Sequence, residues 1–248
     1  MKTFNCLFGI LAILLMATGC GKDDEPDVKI DPPVYNLQKS ANVEAVDLGL
    51  SVMWSNCNLG ASSPTDYGGY FAWGDPTGAL WSGEGIGYDD KGYTWNTSNY
   101  GGNNPPADIS GTELDVVAAH WGDGWRMPTY AEMSDLMTKC QWTQLEQGGI
   151  KWYEVTGPNG NSISLPIAGL YYDDYPNARF RGGPAHVNKG AFYWTSTVSW
   201  KQSSMRGYDI HPGVVTAWCG LWVGTEGKSA FRDYVRAFHM PIRPVRDK

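Results

Sequence analysis

Positive charge is sparse in this chain and nowhere gathered: 19 Lys and Arg stand against 26 Asp and Glu, for a net charge of −7. Nucleic-acid backbones are bound by clustered Lys and Arg that neutralise phosphates, so the balance argues against a nucleic-acid partner. Cysteine is equally thin. Of five cysteines, Cys6 and Cys20 belong to the N-terminal leader region, which leaves Cys57, Cys140 and Cys219. Three cannot all pair internally, and no Cys-x-x-Cys or Cys-plus-His spacing offers a zinc site. The histidines His120, His186, His211 and His239 show no ligand spacing either. Gly224 to Ser229 ends like a phosphate loop, but the first required glycine position is Trp222. Charged residues make up only 18% and aromatics a high 13%, a composition that excludes disorder and suits a loop-rich, mainly β protein that recognises something at its surface.

The longest apolar run, Leu7 to Met16, is too short to span a bilayer as a stable helix. With Lys2 before it and Ala17-Thr18-Gly19 before Cys20, residues 1–19 read as a lipoprotein signal peptide and Cys20 as the lipidated residue. Ala17 departs from the usual leucine of such signals. Residues 20–42 contain Pro26, Pro32 and Pro33 among acidic and polar side chains, with too little apolar content to fold alone, and are expected to be a tether. Residues 43–248 form the folded domain. Gly21-Lys22-Asp23-Asp24-Glu25 resembles the export signal of Bacteroidota surface lipoproteins, which implies an outer-membrane, surface-exposed location.

Within the domain, alternation from Val46 to Trp54 predicts a half-buried strand, with Gly49 marking a bulge or tight turn. Tyr70 to Trp73 is a second short strand. Between Gly74 and Pro106 lies a long segment without periodicity. Leu114, Val117, Ala118 and Trp121 recur at helical spacing, with Thr112 placed to cap the start and Gly122 to end it. Ile150 to Thr156 and Asn161 to Pro166 flank Gly157-Pro158-Asn159-Gly160, which predicts a β-hairpin. Further strands are expected at Gly169 to Tyr172, Ala191 to Thr197, Val214 to Val223 and Val235 to Val245, where Pro241 and Pro244 oppose a central position.

A second helix is expected after Pro128. Thr129 and Glu132 have capping-box spacing, and Tyr130, Met133, Leu136 and Met137 share one helical face. Glu132 is therefore read as a cap, and Arg126 as pairing with an acid in the core. The run Trp125-Arg126-x-Pro128-Thr129-x-x-Glu132-x-x-x-Leu136 resembles the signature of the Fibrobacter succinogenes major paralogous domain and related Lcl-type C-terminal domains. Val46 to Trp54, Gly68 to Asp75, Gly157 to Pro166 and Ile242 to Asp247 are similar to the Bacteroides branch of that group. The resemblance implies an α+β, C-type-lectin-like fold with two helices and a mostly antiparallel, loop-rich sheet, related to the formylglycine-generating-enzyme superfamily. That fold hosts binders and enzymes alike.

Ligand surfaces of such folds are generally built by long loops in the second half of the domain. Here Asp173 to Asn188 and Ser199 to Pro212 are long, polar, Gly- and aromatic-bearing stretches that no core periodicity explains. Tyr175, Arg179, Arg181, Trp200 and Tyr208 are the candidate ligand-binding residues, aromatic faces for stacking and guanidinium groups for hydrogen bonds. Trp194, Trp218 and Trp222 are open to either core or site. The Glu-Pro-Asn and Trp-Asn-Asp signals of calcium-dependent lectins are missing. Calcium stays a minor option at Asp173-Asp174, and no other cofactor or metal is expected. The function expected is non-catalytic recognition of a glycan or surface protein, with membrane attachment through lipid. The alternatives are a structural or tip subunit of a surface assembly and, less well supported, an enzyme of the formylglycine-generating type.

Overall fold

The computed structural model describes residues 35–78, 86–87, 94–95, 105–171, 184, 186–199, 216–224, 229–236 and 238–248. In chain order its elements are β1 (Ala45–Asp47), β2 (Met53–Ser55), β3 (Phe71–Ala72), β4 (Ile86–Gly87), β5 (Thr94–Trp95), α1 (Val116–Trp121), β6 (Trp125–Arg126) and α2 (Tyr130–Lys139). There follow β7 (Gln141–Gln147), β8 (Ile150–Thr156), β9 (Ser162–Pro166), β10 (Gly190–Ser199), β11 (Thr216–Gly224), β12 (Ser229–Val235), β13 (His239–Met240) and β14 (Val245–Arg246). Among the described residues the architecture is two helices with antiparallel strand pairs, α+β or mainly β in class.

Among the described residues two large apolar clusters form the core, with β10 between them, and a small third one gathers around Tyr70 and Ala168. Phe192, Trp194 and Val198 point into a cluster with Phe71, Trp73, Ile109, Val117, Trp125 and Met240. Ala191 and Tyr193 point the other way, to Leu48, Trp54, Met133, Leu136, Val155 and Leu165. Alternating side chains bury both faces of this strand, so it carries few charges. Trp194 is thus core, with its indole N–H donating to the Phe71 carbonyl at 2.8 Å. Leu37 is buried in the first cluster, so packing begins inside the stretch that composition assigns to the tether.

Four sequence expectations need correction. Val46 to Trp54 is not one strand: β1 and β2 fold back on each other, with Val46 opposite Trp54 and Gly49 in the intervening turn. The first helix begins at Val116 rather than at Thr112. Asp115 caps it, because its carboxylate accepts the N–H groups of Val117 and Ala118, whereas the Thr112 hydroxyl accepts the Leu114 N–H and donates to the Ile109 carbonyl in the turn before the helix. Val235 to Val245 is broken into the end of β12, then β13 and β14, with Pro241 and Pro244 in the stretch between the last two, where their carbonyls accept the N–H groups of Trp194 and Ser55 without forming a strand. Finally, β7 and most of β12 carry no strand expectation at all, since neither has the apolar alternation that marks a half-buried strand.

The second helix matches its expectation. Thr129 accepts the Glu132 N–H at 3.2 Å, Glu132 accepts the Thr129 N–H at 2.8 Å, and Met133 and Leu136 are buried. The β8–β9 hairpin is also as expected, with Val155 opposite Ile163.

The short strand β14 is a meeting point. Val245 is in register with Trp54 on one side and with Arg126 on the other, giving the sheet order β1-β2-β14-β6. Next to it, Arg243 is fully buried and donates to Asn58 Oδ1 at 2.9 Å, the Ser55 carbonyl at 3.0 Å and the Ser164 carbonyl at 2.6 Å. The turn of the β8–β9 hairpin closes on the β1–β2 turn, where Asn159 and Asn161 both donate to the Asp47 carbonyl at 2.8 Å. A Cβ at Gly157 would stand 2.0 Å from the Leu48 carbonyl oxygen, so only glycine permits this approach.

Candidate functional site

Tyr175, Arg179, Arg181, Trp200 and Tyr208 lie outside the described residues, as do Cys20, the Asp173-Asp174 pair and His211. What the structure gives is the frame from which their segments depart. Tyr171, just before segment 172–183, exchanges backbone hydrogen bonds with His239 at 2.9 and 3.0 Å. Segment 200–215 joins Ser199 to Thr216, which are directly paired, and Thr216 is paired in turn with Val235. Both roots therefore attach to the short run 235–239. The early segment returns to the same end of β10: Asp108 bridges Thr197, and the Val198 N–H donates to the Ala107 carbonyl at 3.0 Å. Sequence separation hides this convergence, because it arises from long-range pairings with no local pattern.

Aromatic rings line the frame. Tyr70 and Tyr171 meet edge to face at 4.8 Å, and the Tyr70 hydroxyl donates to the Ala168 carbonyl at 2.6 Å. Tyr35 lies 6.0 Å from Phe71, and the Tyr67 hydroxyl faces Asn188 Oδ1 at 3.4 Å. On the other side of Tyr171, Phe238 contacts Tyr234, which contacts Phe192, each pair 5.9 Å apart; His186 stands 6.1 Å from Phe192. Tyr35, Tyr67, Tyr171, Tyr234 and Phe238 are all half-buried. Burial pushes the phenols of Tyr35, Tyr67, Tyr70 and Tyr171 above their ordinary range, so they stay neutral hydroxyls at any physiological pH. Neutral phenols on flat apolar rings can stack and hydrogen-bond but supply no charge for acid–base work.

Beside the rim, Arg236 is buried with its guanidinium 5.5 Å from the centre of the Trp73 ring. Desolvation brings its pKa down to about 10, still protonated at neutral pH. Of these rim residues, Tyr171 stands out in sequence as an aromatic of the second half. Tyr67 and Tyr70 lie 49 and 46 residues before the start of the first helix at Val116, and nothing local marks them as neighbours of Tyr171.

In the Trp121 to Leu136 stretch, Arg126 and Glu132 are engaged with each other and with the helix start. Arg126 makes a bidentate pair with Glu132 at 3.0 and 2.7 Å and reaches Asp247 at 2.8 Å. Burial would raise the Glu132 carboxyl, but the Arg126 guanidinium and the Thr129 N–H hold it below its ordinary value. Asp123 is exposed and 3.8 Å from Lys39. Cys57 is a buried free thiol whose pKa burial pushes up, and Cys140 is free and half-buried. The Arg243 guanidinium opposes the rise at Cys57, but burial outweighs it, so the setting does not activate a thiolate at either position. Cys219 occupies β11 opposite Trp194 and Arg232; its side chain, like those of Trp218 and Trp222, lies outside the description. Among the described residues, no three His, Cys, Asp or Glu side chains are grouped to hold a metal ion, and no helix is long and apolar enough to cross a membrane.

Comparison with models of known protein families, with curated proteins and with solved structures finds no match to this chain.

Proposed function

We propose that this chain is a surface lipoprotein, anchored in the outer membrane through Cys20, whose single C-type-lectin-like domain acts by binding a glycan or a surface protein. The observation that carries the reading is the common root of segments 172–183 and 200–215 on the run 235–239, rimmed by half-buried aromatic rings. Long loops held by a rigid frame are the usual carriers of recognition. Tyr175, Arg179, Arg181, Trp200 and Tyr208 are the ligand contacts in this reading, and Tyr171 with Phe238 supports their bases. Support for binding over catalysis comes from the fate of the charged groups, since Arg126, Glu132 and Asp247 are satisfied by one another.

The test is a glycan and surface-protein array with and without chelator, followed by variants against one identified ligand. Trp200→Ala and Tyr208→Ala should each weaken binding by about 2 kcal/mol or more without loss of folding. Trp95→Ala is the control, and loss of binding confined to that variant moves the site to the early segment. Equal binding with chelator removes calcium from the account.

A further inference from the structure

We propose that the outer edge of β7 pairs with β7 of a second copy of this chain, antiparallel and centred on Gln144, to make a two-fold dimer. The inference rests on the hairpin alone and is independent of the ligand assigned above. β7 and β8 are joined by Gly148-Gly149, both at positive φ (59° and 81°), and pair without a register shift from Gln147–Ile150 to Gln141–Thr156. In a two-residue hairpin the closing pair exchanges hydrogen bonds, and bonded and non-bonded pairs then alternate. Lys151 fixes the phase, because its N–H donates to Asn188 Oδ1 at 2.9 Å and its carbonyl accepts from the Ile167 N–H at 2.9 Å. It therefore turns away from its partner Glu146, and Glu146, Gln144 and Trp142 direct their own N–H and C=O groups away from β8.

Among the described residues, no hydrogen bond outside the β7–β8 ladder reaches the backbone of those three residues, and five of the seven side chains of β7 are exposed. Natural edge strands are usually short, bulged, or guarded by proline or lysine. β7 has seven residues, no bulge, no proline and no lysine. The opposite edge of this sheet is different: the Ser164 carbonyl of β9 is taken by Arg243. With one edge of this sheet open among the described residues, pairing through it closes at two copies.

The sequence of β7 is complementary to itself in this pairing. With Gln144 opposite Gln144, Trp142 of each copy faces Glu146 of the other, Thr143 faces Leu145, and Gln141 faces Gln147. The only charged residue, Glu146, never meets its own kind, and all three outward-facing positions fall in hydrogen-bonded pairs, for about six new backbone bonds. Three strands become a continuous sheet of six.

Sedimentation velocity of the full chain, carrying Cys20→Ser so that lipid does not drive association, should show a concentration-dependent dimer. Gln144→Pro removes a central donor from the outer edge only and should abolish it. Gln144→Lys keeps the N–H, sets two ammonium groups face to face, and should weaken dimerisation at least tenfold with relief by salt; a melting curve verifies folding of each variant. In a Cys140→Ser background, Gln144→Cys should cross-link on mild oxidation, since the symmetric pair brings Cα atoms to about 5.5 Å. Thr143→Cys and Leu145→Cys should cross-link at least tenfold more slowly. A monomer at every concentration, a dimer that survives in folded Gln144→Pro, or equal cross-linking at all three positions overturns the proposal. A monomer that instead takes up a synthetic peptide of residues 141–147 along this edge assigns it to an extended peptide and overturns the second copy as occupant.

Discussion

The junction around β14 and the aromatic rim around Tyr171 treat polar atoms in opposite ways. At the junction the polar groups of Arg243 and Asp115 are sealed and bonded, although among the described residues the indole N–H groups of Trp54 and Trp125 beside them are buried with no acceptor. Arg243 is fully buried, with three neutral oxygens around its guanidinium and no carboxylate within ion-pair reach among the described residues. Asp115, also fully buried, accepts the N–H groups of Gly111, Val117, Ala118 and Met127, although burial still pushes its pKa up. A saturated buried network tolerates one geometry only, because each broken bond leaves a desolvated partner behind. At the rim Tyr70 is buried and bonded to the Ala168 carbonyl, but Tyr35, Tyr67, Tyr171, Tyr234 and Phe238 stay half-buried, and the Tyr67 hydroxyl makes one long contact. One region specifies the fold, and the other presents surface.

The largest expected effect follows from opening the junction. Arg243→Ala orphans the Ser55 and Ser164 carbonyls and leaves a cavity, for a loss on the order of 4 kcal/mol or more, enough to unfold a marginal domain. Asp115→Ala removes a helix cap and deprives two further N–H groups of their acceptor, which should cost on the order of 3 kcal/mol. Asp115→Asn keeps one acceptor oxygen and should fall between this variant and the parent. Denaturant melts of the three variants check the order. If Arg243→Ala melts with the parent, the junction is not saturated in the sense argued.

An intermediate effect is expected from the Thr129–Glu132–Arg126 group, which is only partly buried. Thr129→Ala should cost about 1 kcal/mol. Because the Glu132 carboxyl is held below its ordinary value of 4.5, its contribution is fully present above about pH 4.5 and is lost as the pH falls through the folded value. Glu132→Gln should accordingly flatten the acid limb of stability against pH while lowering the neutral plateau. An unchanged acid limb would separate Glu132 from the ion pair that the structure assigns to it.

These three layers were unequally legible in the sequence. The capping box and the Gly157 to Gly160 turn rest on residues three or four apart, so spacing alone reveals them. Asp115 was hidden because Thr112 is an equally good cap by residue type, and the second role of the carboxylate, accepting the Met127 N–H from across the turn, has no local signal. Arg243 and the rim depend on pairings across more than a hundred residues, such as Tyr67 with Asn188 and Arg243 with Ser55. β7 escaped for a different reason: with water beside both its edge and most of its side chains, nothing selects an apolar alternation there.

The smallest effect expected is the one that most directly tests the contrast. Tyr67→Phe removes a hydroxyl whose bond to Asn188 is 3.4 Å long, on a half-buried ring that keeps its packing. Asn188 does not depend on that bond, since its side chain also accepts the Lys151 N–H at 2.9 Å and donates to the Gly149 carbonyl at 2.8 Å. Stability should therefore change by no more than about 0.5 kcal/mol. Binding of a ligand that reaches this side of the rim should change more than stability does, because a phenol at the border of solvent can exchange its long internal contact for a shorter one to the ligand. A melt and a binding isotherm on the same sample separate the two quantities. A stability loss comparable to that of Asp115→Ala would make the rim as sealed as the junction, and the distinction between a fold-specifying region and a presenting one would fail at that residue.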